Sequence, residues 1–590
     1  MQKPTKRNMF VIHHSLRSFL VASVLSSIID LINTTIDGIV VSQSVSADAI
    51  SVVVLVEPIQ TFVQLLGIML FAGASLFVAS AYGNQQFRLV NRLVTMSMSA
   101  VFILNGLLAV VCCLFSEQMA RFLTDEERLL PLVIDYLPFT LAACVVWLLC
   151  DSFGRFVEIS GRPKLVTNYV VLNTALNFAL DLLLVVTLEM GMRGAAIASL
   201  VAPVMAMIVF IPYLSKSPRP FAFDIAGDYA SLMNKCFRRG IPTAIAALIM
   251  VVIYMALNFI VLRTQGADGM YTLSICLQTL TFALILSFAA SSAVKYIGGI
   301  MYGEKDWEGL NLTMMSIVKI VQTACIVIMA LLFFFPDVMA IIYGADEHLR
   351  QVSEQPVRLF SQSMVPISML MLISSIYMMT GRTRLSSLIE FGPLLIMLPI
   401  VGIIANVMPD YLWYSIPLGL WILLLITIGG IFLLSHKREN LHWLFLTPTN
   451  VQQGTYTISI PFDESDVQGK MSLLQDYILS QNTDKSILPN VQHCVEEQIY
   501  HELDMGKATG RTGSFDISVQ HQPERLTIII KDVGKAYNPQ ITYQTKSNED
   551  IDESMLYMNL THHYCKDINY QYNNGQNCLY LNFPLPLHQQ

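Results

Sequence analysis

The chain has 590 residues, of which 54% are hydrophobic and only 13% are charged, and its formal net charge is −7. Soluble domains carry about 25% charged residues, so this composition excludes a soluble enzyme of ordinary make-up. Apolar residues dominate positions 1–450, whereas charged residues, mainly acidic, are frequent in 451–590. The contrast predicts a polytopic membrane region followed by one soluble domain. The ten cysteines form no CxxC motif and lie mostly in apolar runs, so we interpret them as core residues without a metal or a disulfide.

Twelve apolar stretches are each long enough to cross a bilayer as a helix, which takes about 20 residues. Their centres lie near Ile28, Leu66, Ile103, Val145, Leu176, Met205, Val251, Leu280, Val327, Leu370, Pro399 and Leu423. The basic segment at Lys3, Lys6 and Arg7 continues into the first stretch without a cleavage-site pattern, which is typical of a retained first span. Lysine and arginine are concentrated in the connections on one side, and that side faces the cytoplasm. We therefore expect both termini to be cytoplasmic, in the inner membrane of a bacterial cell.

Three short motifs recur at one constant spacing of 220 residues. The pairs are Ala47-Asp48 with Ala267-Asp268, Tyr82-Gly83 with Tyr302-Gly303, and Gly161-Arg162-Pro163-Lys164 with Gly381-Arg382-Thr383-Arg384. A shared spacing between equivalent loops predicts two six-helix halves in tandem, an amino-terminal lobe at 1–220 and a carboxy-terminal lobe at 221–440. Halves related by an axis along the membrane normal are a transporter architecture, in which the substrate route runs between them.

Two predicted spans carry polar side chains inside their apolar sequence. They are Asp30, Asn33 and Asp37 in span one, and Asn173, Asn177 and Asp181 in span five. The spacing within each set places its side chains on one helical face. A charge at the bilayer centre costs at least ~2.5–3.5 kcal/mol, and the sequence suggests no lysine or arginine at similar depth. The two sets therefore predict a site for protons or for a hard cation such as sodium. The alternative is that Asp30 and Asp37 only make hydrogen bonds at helix ends or between helices.

Further polar residues in the spans have weaker patterns. Asp151, Arg155 and Glu158 are spaced for ion pairs along one helix, so we expect them to satisfy each other. Tyr254, Asn258 and Gln278, with the many methionines, are candidates for lining a substrate cavity, because methionine surfaces adapt to varied ligands. Packing in the core or against lipid is the alternative for each of them.

Several ordered motifs resemble the multidrug and toxic-compound extrusion (MATE) transporters over about residues 15–435. They are Ile36-Asp37-Gly38, Tyr-Gly after spans two and eight, Gly161-Arg162-Pro163-Lys164, Leu176-Asn177-Phe178-Ala179-Leu180-Asp181, the run 191–199 and Gly240-Ile241-Pro242. The resemblance implies a cation-coupled antiporter of the MOP-type fold with a V-shaped pair of lobes. One departure is that the first span lacks the proline common near its start in this family.

The same resemblance implies which residues couple cation and substrate. In the archaeal-type and DNA-damage-inducible branches, an acid of span one, an Asn and an Asp of span five and a hydroxyl of span six form the site. The matching residues are Asp37, Asn177, Asp181 and Ser199, where serine replaces the usual threonine but keeps the hydroxyl oxygen. Spans seven and ten carry no central acid, so the ion site of the carboxy-terminal lobe in other branches is expected to be absent.

Residues 441–453 are predicted to be a linker, and residues 454–590 a cytoplasmic α/β two-layer sandwich, here called the tail domain. The patterns predict strands at Thr455–Ile460, Ser514–Val519 and Leu526–Lys531, and helices at Gln468–Leu479 and Leu488–Leu503. A turn is predicted at Gln522-Pro523-Glu524.

The runs 495–501 and 528–539 of the tail domain resemble the histidine-kinase-like ATPase fold, closest to its anti-sigma-factor kinase branch. The resemblance implies a nucleotide-like site at Glu497, His501, Asp532 and Gly534. However, His501 stands where the family has its magnesium-binding asparagine, and the lid region at 553–558 has no glycine, although glycine lets backbone N–H groups approach phosphates. We therefore expect a degenerate domain for protein contact or sensing, or a merely stabilising appendage, without ATP as a cofactor.

The leading functional interpretation is a cation-coupled (Na⁺ or H⁺) antiporter that exports drugs or other small organic compounds by alternating access. The alternative is a transporter-like membrane sensor that signals through its cytoplasmic ATPase-like domain. An ATP-driven enzyme is disfavoured, because the chain has no Gly-x-x-x-x-Gly-Lys loop. The expected partners are a small-molecule substrate, the lipid bilayer and a cytoplasmic protein for residues 454–590, but no nucleic acid.

Overall fold

The computed structural model describes most of the chain, in fifteen stretches. They are residues 7–44, 47–123, 130–215, 221–222, 224, 228–342, 347–436, 440–449, 455–464, 467–481, 487–522, 524–536, 561–565, 567–573 and 575–585. Within these ranges, 12 helices are long and apolar enough to cross a membrane. Each contains one of the twelve centres predicted from the sequence, so the prediction of a twelve-span helical region is confirmed.

The first six spans are formed by α1 to α8. These helices are α1 (Phe10–Ser44), α2 (Ala47–Gly83), α3 (Phe87–Leu114), α4 (Ser116–Leu123), α5 (Leu130–Ile159), α6 (Pro163–Asp181), α7 (Gly191–Ala206) and α8 (Ile211–Leu214). A π-helical segment, Leu182–Thr187, extends α6, and a 3₁₀ segment, Met207–Phe210, joins α7 to α8. The connection between spans five and six is short, because α7 already begins at Gly191.

The next six spans are formed by α9 to α16. These helices are α9 (Tyr229–Gly303), α10 (Trp307–Phe334), α11 (Asp337–Ile342), α12 (Glu347–Ser361), α13 (Met364–Met379), α14 (Thr383–Gly392), α15 (Leu398–Val407) and α16 (Leu412–His436). Two spans share α9, which is broken at Gly266, where the backbone has φ 67° and ψ −151°. Short π and 3₁₀ segments, Pro393–Met397 and Pro409–Tyr411, precede α15 and α16.

Backbone conformation repeats at the same spacing as the sequence motifs. Gly161, between spans four and five, has φ 83°, and its counterpart Gly381 has φ 80°. Gln85 and Lys305, which follow the two Tyr-Gly motifs, have φ 58° and 56°. A positive φ is uncommon outside glycine, so the recurrence of these turns supports the tandem repeat.

The two halves pack closely where α2 crosses α9. Four glycines line this crossing, and a Cβ at any of them would collide with a backbone carbonyl of the facing helix. The contacts join Gly73 to Cys236, Gly83 to Ile300, Gly240 to Met69 and Gly303 to Ser80. We call the ends of the spans nearest the tail domain the tail face; Gly83 and Gly303 lie there, and Gly73 and Gly240 lie further towards the middle of their spans. The lobes are therefore closed against each other at the tail face.

The tail domain is a five-stranded antiparallel sheet with two helices. Its elements are β1 (Thr455–Pro461), α17 (Val467–Ser480), α18 (Leu488–Thr509), β2 (Ser514–His521), β3 (Arg525–Val533), β4 (Asp567–Asn573) and β5 (Gln576–Pro584), in the sheet order β1-β2-β3-β5-β4. The predicted strands and helices are present with ends shifted by a few residues. The hairpin of β4 and β5 was not predicted. Residues 553–558, the expected lid, lie outside the described residues.

The two faces of the sheet are buried in different ways. Residues such as Ile517 and Ile528 pack with apolar side chains of α17 and α18 in one core. The other face carries polar side chains that are also buried, among them Asp516, Ser518 and Gln520 on β2. This polar face is covered by the tail face of the membrane region, as the contacts described below show. The sheet thus forms a layer between its own helices and the spans.

The described part of the expected linker, residues 441–449, is packed against the second half. Leu444, Phe445 and Leu446 are buried, and the hydroxyl of Tyr377 donates a 2.8 Å hydrogen bond to the carbonyl of Leu444. This segment therefore fixes where the chain leaves the last span.

Candidate functional site

Asp37 and Asp181 lie side by side on α1 and at the end of α6, which pack together. The side-chain amide of Asn177, one turn earlier on α6, donates 3.1 Å hydrogen bonds to Oδ1 of Asp37 and to Oδ2 of Asp181. Asn33 donates to the other oxygen of Asp37 over 3.2 Å. The structure thus brings together the two acids and the asparagine that the sequence assigned to one site, which we call the acidic pair site.

The acidic pair site has buried oxygen atoms without a hydrogen-bond donor. Asp181 is 1% exposed and Asn177 is 3% exposed. Oδ1 of Asp181 and Oδ1 of Asn173 are buried and have no hydrogen-bond partner. Among the described residues, no lysine or arginine forms an ion pair with either acid. Unpaired polar atoms are costly away from water, so this set of oxygens fits a proton or a hard cation, which prefers oxygen ligands.

The remaining candidates for this site are placed differently. Asn173 lies one turn before Asn177 and is 9% exposed, so its amide belongs to the same buried face of α6. Ser199 lies half-buried on α7, which packs on α6, but no hydrogen bond joins it to the acids within the described residues. The hydroxyl that the resemblance implied therefore lies on a neighbouring helix and makes no hydrogen bond to the carboxylates among the described residues.

Asp30 belongs to a second charged cluster rather than to the acidic pair site. Arg155 forms ion pairs with Asp151 at 3.3 Å and with Glu158 at 3.4 Å, as the helical spacing indicated. Asp30 lies within electrostatic range of Asp151 and Arg155. The expectation that no basic residue lies near the acids of span one is therefore wrong for Asp30. The relative depth of α1 and α5 depends on how the two helices pack, and the sequence of either helix alone does not show it.

A cavity of about 280 Å³ lies inside the second half, between α9, α13 and the helices that follow. Its lining is mainly aliphatic and includes several methionines. Tyr254 lines this cavity, as expected, whereas Asn258 and Gln278 are exposed and do not. Only one of the three candidates for a substrate cavity is thus placed in it.

Lys295 and Glu390 also line this cavity, and the sequence analysis did not single them out as site residues. Ser374 donates a 2.5 Å hydrogen bond to Oε1 of Glu390, and Lys295 interacts electrostatically with that carboxylate. The available signal was a charged residue within an apolar run in spans eight and eleven. The absence of an ion site in this half was expected from spans seven and ten, which carry no central acid, whereas Glu390 lies in span eleven.

Arg7 joins three separate parts of the chain at the tail face. Its guanidinium lies 2.7 Å from Oδ2 of Asp306, in the loop after α9, and 3.0 Å from Oδ2 of Asp516 on β2. The three side chains are at most 2% exposed. Removing one partner of a buried ion pair costs about 3–5 kcal/mol, because the remaining charge is left uncompensated, so the docked position of the tail domain requires all three charges.

Glu304, in the same loop, is a second anchor for the tail domain. Its carboxylate forms a 2.6 Å ion pair with Lys531 on β3 and accepts a 3.4 Å hydrogen bond from the hydroxyl of Tyr580 on β5. Its backbone carbonyl accepts hydrogen bonds from Gln520 at 2.8 Å and from Thr455 at 2.5 Å. Four strands of the sheet therefore converge on one residue of the second half.

The tail domain also contacts the first half. Arg525 donates a 2.9 Å hydrogen bond to the backbone carbonyl of Asn84, and Asn582 donates to Gln85 over 3.2 Å. Gln576 donates a 2.6 Å hydrogen bond to the carbonyl of Val11 on α1. Because Asn84 and Gln85 are the repeat equivalents of Glu304 and Lys305, the sheet sits on the same loop of both halves.

Burial and charge act in opposite directions on the pKa values at this interface. Burial alone would raise the pKa of Asp306, but the cation of Arg7 holds it below the usual carboxyl range. Burial alone would lower the pKa of Lys531, but the carboxylate of Glu304 raises it above the usual lysine range. Both groups therefore stay ionised when the tail domain is docked at neutral pH.

The expected nucleotide-like residues do not form an open site. Asp532 is 1% exposed, and its carboxylate is held by Arg511 at 2.5 Å and by the amide of Asn577 at 3.3 Å. His501 is buried, and burial lowers the pKa of its imidazole. Glu497 is half-buried, and Gly534 lies against the guanidinium of Arg511. The carboxylate of Asp532 is thus already bound by an internal arginine.

Comparison with known proteins assigns the membrane region. A family model described as MatE matches residues 22–183 and 242–404, two segments that begin 220 residues apart. The chain belongs to the MATE family of transporters. The match ends before the tail domain, so the family assignment rests on the membrane region alone.

Curated relatives and solved structures agree with the MATE assignment. The probable multidrug resistance protein YoeA of Bacillus subtilis is 20% identical over 319 residues, which is 52% of this chain and 68% of that protein. The multidrug export protein MepA of Staphylococcus haemolyticus is 22% identical over 286 residues, 48% of this chain and 62% of its own length. A crystal structure of MATE in complex with MaL6 matches with TM-score 0.66 and 18% identity, covering 72% of this chain and 96% of that one.

A second solved structure is described as the outward-facing conformation of a multidrug resistance MATE family transporter of the MOP superfamily. It matches with TM-score 0.66 and 18% identity, over 74% of this chain and 99% of that one. At such low identity these structures show the shared fold of this MATE protein, while its substrate and coupling ion are a separate question.

Proposed function

We propose that the protein is a secondary active antiporter that exports small organic compounds by alternating access, driven by protons or sodium ions that enter through the acidic pair site. Asp37 and Asp181 hold the coupling cation, and Asn177 keeps the two carboxylates together. Asn173 supplies a further oxygen, and Ser199 on α7 is the hydroxyl that the family resemblance assigns to the same site. The coupling cation is cargo of the transport cycle and not a resident cofactor.

The observation that carries this proposal is the shared amide of Asn177. One side-chain nitrogen donates to carboxylates from two different spans, while the buried Oδ1 of Asp181 has no donor. Two carboxylates this close repel each other unless a proton or cation lies between them. Binding of the cation and the packing of α1 against α6 are therefore linked, which is what coupling to a conformational change requires.

The names of the relatives support small organic compounds as substrates, because both YoeA and MepA are described as multidrug resistance or export proteins. The cavity of the second half supports an amphipathic substrate, since its walls are mainly aliphatic and Tyr254, Lys295 and Glu390 provide polar contacts. Adaptable methionine walls suit compounds of varied shape.

The distribution of basic residues supports an orientation in which both termini and the tail face lie in the cytoplasm of a bacterial cell. In that orientation the structure, with its lobes closed at the tail face, is outward-facing. We propose the lobe bounds 1–220 and 221–440 for the two moving bodies.

For the tail domain we propose a histidine-kinase-like ATPase fold that no longer hydrolyses ATP. The order of its helices and antiparallel strands, with Asp532 at the end of β3, supports the resemblance. The ion pair of Asp532 with Arg511 supports the loss of activity. Phosphate release from ATP by the purified chain, abolished by Asp532→Asn, would contradict this part of the proposal. A membrane sensor as the main function is not favoured, because the relatives named above are described as resistance or export proteins.

The test is transport in proteoliposomes with imposed proton or sodium gradients, using ethidium as the probe. Asp37→Asn is expected to reduce gradient-driven transport at least ~10-fold while the protein still inserts and purifies normally. Glu117→Gln is the matched control, because Glu117 is exposed and pairs only with its helical neighbour Arg121 among the described residues. Full gradient-driven transport by Asp37→Asn would remove the acidic pair site from the mechanism.

A further inference from the structure

A cavity of about 590 Å³ lies at the junction of the tail domain and the first half. Its lower wall consists of the tail-face ends of spans one, five and six, including His14, Leu165 and Val209. Its upper wall consists of the end of β3 and the β4–β5 hairpin, including Gly534 and Tyr572. The residues of the acidic pair site do not line this space, and of the four nucleotide-like residues Gly534 alone lines it. We call it the junction cavity.

Positive charge lines the junction cavity. Arg162 and Lys164 line it from the first half and Lys535 from the tail domain, and the described part of its lining contains no acid. Within the described residues, none of these three cations forms an ion pair with an acid. The start of α6 adds the positive end of a helix dipole at the same wall. Unpaired cations around a cavity are attracted to an anionic ligand.

The two domains both contribute to the position of Arg162. Its guanidinium carbon lies 4.9 Å from the centre of the Tyr572 ring, an arrangement that holds the planar cation against the tail domain. The hydroxyl of Tyr572 in turn donates a 3.0 Å hydrogen bond to the carbonyl of Gly534. The site is therefore complete only when the tail domain is docked.

We propose that the junction cavity binds a phosphate-bearing anion, held by Arg162 and Lys164 of the membrane region and by Lys535 of the tail domain. Arginine recognises phosphate through paired N–H donors, and lysine acts as a point charge. The volume accommodates more than a phosphate group, and Leu165, Val209 and Pro212 provide an apolar wall for the rest of the ligand. Two sources share this chemistry, a soluble phosphate compound and an anionic phospholipid headgroup at the membrane surface.

The experiment measures binding to the full chain in lipid nanodiscs. In the soluble arm, titration calorimetry is carried out with pyrophosphate and with ATP in phosphatidylcholine nanodiscs. In the lipid arm, native mass spectrometry counts phosphatidylglycerol that stays bound in competition with phosphatidylcholine. In whichever arm shows binding to the unaltered protein, Lys164→Gln and Lys535→Gln are each expected to weaken that binding at least ~10-fold. The loss is expected to be larger at low salt, where charges are less screened.

Arg384→Gln provides a matched control, because Arg384 is the repeat equivalent of Lys164 but lines a separate pocket away from the tail domain. It is expected to bind like the unaltered protein. Binding in either arm that depends on Lys535 supports the site and identifies the source of the ligand. The absence of binding of every probe, or binding that Lys535→Gln leaves unchanged, would overturn the proposal.

A second inference rests on different contacts, the buried ion pairs at Arg7 and Glu304. The sheet is tied to the loop after α9 in the second half and to the equivalent loop of the first half. Opening of the tail face separates these two loops. The contacts on one loop must then break, or the tail domain must leave both.

We propose that the docked tail domain restrains opening of the tail face and so limits the rate of the transport cycle. This inference rests on the proposed alternating-access function. Coupling between sites is typically worth a 5- to 150-fold change in an equilibrium, so release of the restraint is expected to change transport measurably.

Transport is compared in proteoliposomes between the unaltered chain, the undocking variant Asp516→Asn/Lys531→Met, and the control Asp567→Asn on the exposed side of β4. The undocking variant is expected to transport at least ~5-fold faster, and the control at the normal rate. Absence of transport in the unaltered chain would contradict the proposed function itself. Normal transport in the unaltered chain with no acceleration in the undocking variant would overturn the restraint alone.

A cross-link provides a test that does not depend on the stability of the undocking variant. Cysteines replace Asn84 and Arg525, because the side chain of Arg525 contacts the backbone of Asn84 across the interface. A reversible bifunctional thiol reagent then joins the two cysteines. Cross-linking is expected to slow transport at least ~5-fold, and reductive release is expected to restore it. The single-cysteine proteins are the controls for the ten native cysteines. An unchanged rate after complete cross-linking would overturn the restraint.

Discussion

Asn177 is the residue on which the geometry of the acidic pair site depends. Its amide donates to Asp37 and to Asp181, and no other described side chain bridges the two. Removing both donors leaves two adjacent carboxylates with only a cation to hold them together. The site should then rely more strongly on occupancy by a proton or a metal ion.

We predict that Asn177→Leu, which keeps the size of the side chain, reduces coupled transport at least ~10-fold. Asn406→Leu is the control, because the amide of Asn406 donates only to the backbone of Gly402, on an exposed part of α15. The measurement is initial rate of ethidium transport against imposed pH and sodium gradients. Equal rates for the two variants would show that Asn177 has no special role.

The buried ion pair of Glu304 and Lys531 leads to a prediction about how stably the tail domain docks. Lys531→Met leaves the carboxylate of Glu304 buried without its cation and is expected to destabilise docking by about 3–5 kcal/mol. The double variant Glu304→Gln/Lys531→Met is expected to recover most of that loss, because no unpaired charge remains buried. Chemical unfolding of the tail domain within the full chain measures both. If the double variant were as unstable as the single one, the ion pair would not be the dominant contact.

At the scale of elements, the crossing of α2 and α9 is the feature that closes the tail face. The backbones approach so closely at Gly240 that a methyl group would overlap the carbonyl of Met69. Larger residues there would force the helices apart, whereas glycine costs each helix some intrinsic stability. Glycine at the crossing therefore allows close contact between the two backbones, at some cost in helix propensity.

We predict that Gly240→Ala prevents full closure of the tail face and lowers thermal stability by at least ~1 kcal/mol. Gly429→Ala in α16 is the control, because open space surrounds that position and alanine improves helix propensity by about 0.5–1 kcal/mol. Thermal unfolding in detergent compares the two proteins, and spin-label distances across the tail face report closure. A Gly240→Ala protein as stable and as closed as the control would contradict the close approach.

The sequence predicted most elements of the fold because the relevant signals are local. Twelve apolar stretches and the alternation at Thr455–Ile460 depend only on neighbouring residues. The β4–β5 hairpin was not predicted, although β4 alternates polar and apolar residues as β1 does, so its local signal was present in the sequence. Both faces of the sheet are buried, and the burial of the polar face depends on loops far away in the sequence.

At the scale of the whole molecule, the sequence predicted those site residues that recur with helical spacing along a single helix. Asp37, Asn177 and Asp181 come together because each set follows helical spacing and α1 packs on α6. Lys295 and Glu390 were missed because they lie on different helices and meet only through packing. The charged neighbour of Asp30 was missed for the same reason, since Arg155 belongs to another span.

Docking of the tail domain is predicted to depend on pH through Asp306 and Lys531. The pKa of Asp306 is lowered on docking, so its contribution is present above the normal carboxyl pKa near 3.8 and is lost as the pH falls through the lowered value. The pKa of Lys531 is raised, so its contribution is complete below about 10.5 and is lost as the pH rises further.

The tail domain is therefore expected to stay docked between about pH 3.8 and pH 10.5 and to leave the tail face only beyond these limits. Energy transfer between a dye on the tail domain and a dye at the tail-face end of α3 measures this. The variant Asp567→Asn should show the same window, because that acid is remote from the interface. Loss of energy transfer near neutral pH in the unaltered chain would contradict the assignment of charges.

The most direct test of the account is whether a cation moves against the substrate through the acidic pair site. Proteoliposomes are loaded with a pH indicator or a sodium indicator, and an outwardly directed gradient of ethidium is the only driving force. The account predicts inward flow of protons or sodium ions in the unaltered chain and none with Asp181→Asn. Substrate flow without any cation counterflow, or counterflow that persists in Asp181→Asn, would contradict it.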